Sequence, residues 1–170
     1  MAVIIGKRAH EALVKCLSEE YAVAYAYLSM SCVLKDMGLN GCAAWSLNKC
    51  KEVGCIGLDI MHHLEDRGAK FKLAAIQVLR QDWRAPLHIF EEAQRQEQKL
   101  FGLISTAYES ALVDKDYVSQ EFIRPLIKLH SDSDNEVSYL INRLRKMQNS
   151  EVGVFQFDDE LQNMKHKCQN

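Results

Sequence analysis

Apolar residues recur every three to four positions along four long stretches of the chain, which is the spacing of one face of an α-helix. The four predicted helices cover approximately residues 7–37, 40–68, 86–113 and 119–147. Asn40 and Pro86 are typical of helix starts, Gly68 is typical of a helix end, and a short fifth helix is predicted at about 155–164. The predicted inward positions include Leu13, Leu17, Leu28, Leu47, Leu58, Leu64, Phe90, Phe101, Leu126, Leu129 and Leu144.

The loop lengths predict how these helices connect. Short turns at 38–40 and 113–116 make helices one and two, and helices three and four, antiparallel neighbours. The stretch 69–85 is long enough, at up to about 3.3 Å per residue, to run back along a bundle. We therefore predict an all-α four-helix bundle at about 7–148, with one long crossover between helices two and three, inside a single domain over 1–170.

Two acidic residues interrupt the apolar faces. Glu20 lies between Leu17 and Ala24 in helix one, and Glu97 lies between Ala93 and Phe101 in helix three. Burying a carboxylate is costly unless it is paired or binds a metal ion. Periodicity alone leaves both interpretations open: a metal site between the helices, or glutamates that are solvated or paired with a base.

Composition excludes several classes of function. The chain has 170 residues, of which 48% are hydrophobic, with a net charge of -2 and a pI of about 6.3. This balance gives no support for nucleic-acid binding. No stretch reaches the roughly 18 apolar residues of a membrane helix, and no secretion signal is visible. We expect a cytoplasmic protein without a nucleic-acid or membrane partner.

The cysteines are predicted to be reduced thiols. They are Cys16, Cys32, Cys42, Cys50, Cys55 and Cys168. Cys50 and Cys55 would lie about 140° apart on a helix, which argues against a shared zinc ion. Five of the six fall in the first two predicted helices, and this leaves a protective or redox role as an alternative function.

Short motifs along the chain carry a family resemblance. Glu20 and Tyr27 stand in helix one, Asn40-Gly41-x-Ala-Ala-Trp45 opens helix two, and Glu97-Gln98 stands in helix three. The C-terminal segment reads Gly153-x-Phe155-x-x-Asp158-x-Glu160-Leu161. With the helix and loop lengths, these motifs resemble the bacterial-type non-haem ferritins from about residue 10 to residue 162. The resemblance implies a ferritin-like bundle, oxidation of Fe(II) by oxygen at paired iron sites, and storage of ferric mineral inside a shell of subunits.

The resemblance also implies which positions would bind iron. Glu20 and Glu97 match the ligands of helices one and three, and His130 matches a ligand position of helix four. The glutamate and histidine of helix two are replaced by Val53 and Ile56. Two neighbouring iron ions need a bridging carboxylate to offset their repulsion, and Val53 cannot provide one.

The remaining residues could hold at most one weakly bound iron ion, through Glu20, Glu97 and His130. The alternative for His130 is a hydrogen bond to a core glutamate. Glu52 and Asp132 match a weaker iron site on the inner surface, next to the opposing charge of Lys51.

Other positions matter less to this prediction. A haem-ligating methionine would fall on Gly54, so no haem is expected. His62 and His63 form a polar cluster that predicts a solvated face, with a surface metal patch as the alternative. Pro125 lies about two turns into helix four and is expected to kink or fray its start.

We therefore predict a subunit of an iron-storage shell whose ferroxidase centre is lost or strongly impaired. It would assemble with itself, and could assemble with an active ferritin subunit. The alternative is a ferritin-fold assembly protein with a cysteine-based protective role and no mineral.

Overall fold

A computed structural model describes residues 4–78 and 81–164, and these residues form five helices and no strand. The helices are α1 (Lys7–Asp36), α2 (Asn40–Asp66), α3 (Pro86–Val113), α4 (Tyr117–Met147) and α5 (Glu151–Gln162). The predicted all-α bundle with a short fifth helix is confirmed. None of the described helices has the length and apolar character to cross a membrane.

The long connection between α2 and α3 runs along α1. His10 Nε2 lies 3.1 Å from Lys70 O near the start of α1, and Gln81 Nε2 donates to Ser29 Oγ at 3.3 Å near its end. Between them, Ala74 N donates to Ser18 Oγ. These contacts follow α1 from its N-terminal to its C-terminal half, so the chain returns to the end at which α2 began. The predicted crossover is confirmed.

Several predicted helix ends shift by a few residues. α4 begins at Tyr117 rather than near Ser119, because the Asp116 carboxylate accepts the amide of Ser119 and caps the helix. α5 begins at Glu151 rather than at Phe155, since Ser150 caps it. Asn40 is the first residue of α2 and not its side-chain cap.

Other predicted helix features can be compared directly with the structure. Gly68 follows α2 at a φ of +66°, which only glycine adopts easily, and this confirms the predicted stop. α4 continues through Pro125, which is exposed, so the proline does not interrupt the helix.

The core of the bundle has two apolar halves. One is built around Trp45, Phe90 and Leu140, and the other around Leu13, Ile60 and Ile104. Polar residues lie between them on all four long helices. This central polar layer consists of Glu20, Tyr27, Lys49, Glu97, His130 and Ser133.

The predicted inward faces are partly wrong. Five predicted core positions are exposed, by between 38% and 51%. They are Leu28, Leu47, Leu58, Phe101 and Leu129. In α2 the inward face carries Ser46, Lys49 and Gly57 instead, because their polar or small side chains find partners or close contacts inside the bundle. A reading based on hydrophobicity assigns such residues to the surface.

A second buried polar network ties the N-terminus to the far end of the bundle. Asp116 accepts hydrogen bonds from Gly6 N at 3.0 Å, Ser119 Oγ at 2.9 Å and Arg67 Nη2 at 3.0 Å. Arg67 also donates to Ile4 O at 3.0 Å. We call these five residues the N-terminal latch.

The C-terminal helix packs closely against the start of α2. Cys42 N donates to Asp158 Oδ1 at 2.7 Å, and the backbone of Gly41 lies so near Asp158 that a Cβ there would be 1.9 Å from its carbonyl oxygen. Only glycine fits this contact. The two motifs that carry the family resemblance at these positions therefore meet in space.

Candidate metal centre

The central polar layer brings together the site residues predicted from three helices. Glu20 of α1, Glu97 of α3 and His130 of α4 are 1%, 0% and 1% exposed. The carboxylates therefore interrupt the core, as their place in the apolar pattern indicated. Because charged groups are almost never buried without partners, the contacts of these three residues determine what the site can do.

His130 lies between the two glutamates. Its Nε2 is 3.0 Å from Glu20 Oε1, and its Nδ1 is 4.0 Å from Glu97 Oε2. The first contact is an ion pair rather than an aligned hydrogen bond, since Nε2 has no partner with hydrogen-bond geometry. Burial acts to lower the pKa of His130, but the two carboxylates outweigh it and raise the pKa to about 9. The imidazole is thus a cation at neutral pH.

The two glutamates have opposite electrostatic environments. Burial raises the pKa of Glu20 above its ordinary value, and His130 only partly opposes this. Burial acts in the same direction on Glu97, but His130, Lys49 and Tyr27 overcome it and hold the pKa of Glu97 below its ordinary value. Glu97 is therefore the firmly ionised member of the pair.

Tyr27 contributes a hydrogen bond to this ionised carboxylate. Its hydroxyl donates to Glu97 Oε1 at 2.5 Å, and burial raises the pKa of the phenol well above its ordinary value. The phenol therefore stays protonated and available as a donor. One oxygen of Glu97 is occupied by this bond, and its other oxygen, like Glu20 Oε2, has no hydrogen-bond partner among the described residues.

Lys49 is the residue of this polar layer that the sequence analysis missed. Its side chain is 4% exposed, and its ammonium contacts Glu52 Oε2 at 3.3 Å, Glu97 Oε1 at 3.8 Å and Glu136 Oε2 at 3.9 Å. It also donates to Ser133 Oγ. The sequence contains one indication that Lys49 faces inward. It lies four residues before Val53, so the two side chains share a helix face.

Apolar side chains form the α2 wall of the site. Val53 is buried and Ile56 is half-buried, and both line a cavity of about 320 Å³ that also reaches Glu97 and His130. Neither aliphatic side chain offers an atom that can bind a metal ion.

Glu52 and Asp132, the predicted inner-surface pair, also line this cavity, but lysines pair with both of them. Glu52 accepts from Lys49, and both Asp132 oxygens accept from Lys128, at 3.0 and 2.7 Å. The opposing charge predicted from Lys51 comes instead from Lys49, while Lys51 itself is exposed.

The donor set does not fit a pair of iron ions. In the described part of the chain, no three His, Cys, Asp or Glu residues are grouped so that they could hold a metal ion. Val53, where the resemblance implies a bridging carboxylate, is aliphatic, and two positive groups, Lys49 and His130, already face the carboxylates. These two positive groups repel a metal cation, and this repulsion weakens metal binding in addition to the lack of ligands.

The other candidate groups have structural roles. His63 stacks on Phe122 with the ring centroids 4.1 Å apart, and its Nε2 lies 3.0 Å from Ser119 Oγ. His62 is exposed, as expected for a solvated face. The five described cysteines are unpaired, and Cys168 lies outside the described residues.

Comparison with known proteins gives the same family as the fold. Residues 10–147 match the family model described as Ferritin-like domain. The chain is 25% identical to a bacterial non-heme ferritin of Staphylococcus aureus over 158 residues, which is 93% of this chain and 95% of the relative. It is 22% identical to one of Bacteroides fragilis, over 93% of this chain and 98% of the relative.

The fold is also that of solved ferritins. The structure superimposes on an open pore ferritin of the hyperthermophilic archaeon Archaeoglobus fulgidus with a TM-score of 0.91, at 23% identity, covering 96% of this chain and 100% of that one. The family model covers residues 10–147, and the relatives and the solved structure match over nearly the whole length. The chain therefore belongs to the ferritin-like domain family.

Proposed function

We propose that this chain is a subunit of an iron-storage shell that does not oxidise iron at its own centre. Family membership and the ferritin fold support the storage role. Iron is the cargo in this proposal, and its oxidation depends on oxygen in solution, on existing mineral or on an active subunit in the same shell. A cytoplasmic location belongs to the proposal and is supported by membership of the ferritin-like domain family.

One observation carries the loss of catalysis: the carboxylates of the centre are neutralised by groups of the chain itself. Glu97 faces Lys49 and accepts from Tyr27, and Glu20 is paired with His130. These contacts favour the hydrogen-bonded and ion-paired interpretation of the three predicted residues over a residual single iron ion. We therefore propose that Glu20, Glu97 and His130 form a metal-free polar cluster.

The proposed shell requires contacts between copies of the chain. α5 presents Val152 and Phe155 to solvent, 76% and 57% exposed, on a helix held firmly against α2. Exposed apolar side chains on a rigid element favour burial in an assembly. Light scattering is expected to show a large oligomer, and a monomer near 20 kDa, the mass of one chain, would exclude storage in a shell.

Stopped-flow mixing of Fe(II) with the oxygenated protein tests the loss of catalysis. We expect the wild type and Glu97→Gln to oxidise iron at the same slow rate, because neither provides a paired site. A fast phase that saturates at a fixed ratio of iron to subunits, and that Glu97→Gln abolishes, would contradict the proposal.

Iron loading followed by sedimentation tests storage separately. Slow addition of Fe(II) in air is expected to produce shells of raised density that carry a ferric core. Shells that stay light while iron precipitates outside them would contradict the storage role without restoring a catalytic one.

No structural observation favours the cysteine-based alternative. Burial raises the pKa of Cys16 to about 12 and also raises the pKa of Cys42, so both thiols stay protonated and unreactive. Burial also raises the pKa of Cys50. Of the described thiols, only Cys32 and Cys55 are exposed. The high cysteine content therefore overstates the thiol available for redox chemistry.

A further inference from the structure

His63 is a titratable group that lies directly against the N-terminal latch. It stands in the last turn of α2 and is half-buried. Its ring stacks on Phe122 of α4 at an interplanar angle of 4°, and its Nε2 lies 3.0 Å from the hydroxyl oxygen of Ser119. The ordinary pKa of histidine lies between pH 5 and 8, so the charge of His63 can change where Arg67 and Asp116 keep theirs.

The hydrogen bonds of the latch determine which nitrogen of His63 carries the hydrogen. The Ser119 hydroxyl donates its single proton to Asp116 at 2.9 Å, so its oxygen can only accept from its other neighbours. Those neighbours are Arg67 Nη1 at 3.3 Å and His63 Nε2 at 3.0 Å. The neutral imidazole therefore carries its hydrogen on Nε2, and acid adds the second proton at Nδ1.

Protonation of His63 places two cations against one hydroxyl oxygen. His63 and Arg67 both donate to that oxygen, and Asp116, the carboxylate that pairs with Arg67, already accepts four hydrogen bonds. Burial and the charge of Arg67 lower the pKa of His63, and together they outweigh the opposing attraction of Asp116 and Asp66. The closed latch therefore favours the neutral ring.

The same charges hold the first described residues of the chain in place. Arg67 Nη2 donates to Ile4 O, and Asp116 accepts the amide of Gly6, both at 3.0 Å. Arg67 belongs to the end of α2 and Asp116 to the start of α4, so residues 4–6 are connected to both helices. A change in the charge balance around Arg67 acts directly on this connection.

We infer that His63 is an acid-sensitive release for the N-terminal latch: its protonation brings a second positive charge against Arg67 and favours the state in which residues 4–6 are detached. A histidine that is neutral in the closed latch and free to protonate in the open one binds more protons when the latch is open. Acid therefore favours opening as the pH falls through 6.5, the ordinary value for histidine. This device lies outside the proposed storage function and does not depend on iron.

Hydrogen exchange of the Gly6 amide tests the inference, measured by mass spectrometry of the assembled full chain between about pH 5.5 and 7.5. After correction for the intrinsic pH dependence of amide exchange, the wild-type protection factor is expected to fall about threefold or more toward acid. His63→Gln is expected to show no fall, because glutamine can donate to Ser119 but does not titrate. His62→Gln changes an exposed neighbouring histidine, so this matched control is expected to behave like the wild type.

The design separates the latch from the rest of the molecule. Asp116 titrates outside the window, because its pKa lies below the ordinary value of 3.8. The amide of Cys42, which donates to Asp158 at the opposite end of the bundle, reports on global opening and is expected to keep its protection. A fall at Gly6 that His63→Gln shares would overturn the inference. So would an equal fall at Cys42, or no fall in the wild type.

A second measurement covers the case in which His63→Gln does not fold. Slow deuterium exchange at ring C2, read by mass spectrometry, gives the pKa of each histidine in the wild-type protein. His63 is expected to titrate below 6.5. A pKa at or above this value would overturn the inference, because protonation would then fail to favour the open latch.

Discussion

The molecule contains two buried ionic networks that differ in how well their polar atoms are satisfied. In the N-terminal latch, Asp116 accepts four hydrogen bonds, from Gly6, Arg67 and twice from Ser119. In the central polar layer, Glu20 Oε2 and Glu97 Oε2 have no hydrogen-bond partner among the described residues. Both networks are buried, yet only the latch is complete.

This difference separates a buried network whose acceptors are fully bonded from one that retains unbonded carboxylate oxygens. A fully bonded buried carboxylate holds its neighbours in place, and its removal leaves several donors unpaired. A buried carboxylate oxygen without a hydrogen-bond partner makes the opposite case, because its removal leaves fewer donors unpaired. The comparison predicts that the latch dominates stability and the central layer dominates the response to alkaline pH.

Asp116→Ala is expected to give the largest loss of stability. Removing one partner of a buried ion pair leaves the other charge uncompensated and costs about 3–5 kcal/mol. Here Arg67 would be left buried, and α4 would lose its cap. Urea unfolding at a fixed subunit concentration measures the loss, because assembly makes stability depend on concentration.

Asp114→Ala provides the control for this prediction. Asp114 accepts the amide of Ala9 in the first turn of α1 at 3.0 Å, but it is not fully buried. Its loss is expected to cost about 1 kcal/mol, as for other helix caps. If the two substitutions lowered the free energy of unfolding equally, the buried ion pair would contribute no stability beyond that of the helix cap.

His130 is expected to make the central layer fail at alkaline pH. Its folded pKa of about 9 lies above the ordinary value of 6.5. The stability that it contributes is therefore fully present below about pH 6.5 and is lost as the pH rises through about 9. Unfolding midpoints measured across this window are expected to fall for the wild type relative to His130→Gln.

The latch is expected to behave in the opposite way. Burial acts to raise the pKa of Asp116, but the donors from Gly6, Ser119 and Arg67 outweigh it and lower the pKa. Its contribution to stability is present above the ordinary value of 3.8 and is lost as the pH falls through the folded pKa.

The His130 prediction has its own contradicting outcome. Unfolding midpoints of the wild type and His130→Gln that change in parallel between pH 6.5 and 9 would contradict the role given to His130.

The bundle could be predicted from the sequence because helix period and loop length are local properties. The stretch 69–85 was predicted to be a crossover because it is long enough to run back along the bundle, and the contacts of Lys70, Ala74 and Gln81 along α1 confirm it. The inward face of α2 could not be predicted in the same way. Leu47 and Leu58 face solvent in the single chain, because the polar or small residues Ser46, Lys49 and Gly57 take the inward positions.

From helix periodicity alone, the site was predictable only where a residue broke the apolar pattern, and His130 was identified through the family resemblance. Glu20 and Glu97 stood out because carboxylates are rare in a core stripe. Lys49 did not stand out, because a lysine beside Lys51 and Glu52 looks like part of a solvated face. Its burial depends on Glu97 and Glu136, which are distant in sequence and reach it only through the fold.

Ser119→Ala is expected to weaken the latch by less than Asp116→Ala. The hydroxyl donates to Asp116 and lies 3.3 Å from Arg67 Nη1, but in the variant the Ser119 amide still donates to the Asp116 carboxylate that caps α4. The loss of one hydroxyl from a network that keeps its charges is expected to cost about 1–2 kcal/mol in urea unfolding. A loss as large as that of Asp116→Ala would mean that the hydroxyl, and not the ion pair, organises the latch.

An ion pair on the surface sets the lower end of the comparison. Arg124 Nη2 lies 2.9 Å from Glu121 Oε1 on α4, but the two side chains are 63% and 71% exposed. Water and salt screen such a pair, and the two flexible side chains lose entropy when they are held together. Glu121→Gln is therefore expected to change the free energy of unfolding by less than about 0.5 kcal/mol, and about 0.5 M NaCl is expected to remove even that difference. A larger loss of unfolding free energy that persists in salt would mean that Glu121 is buried when copies of the chain assemble. Exposure in the single chain would then no longer distinguish this surface ion pair from the two buried networks.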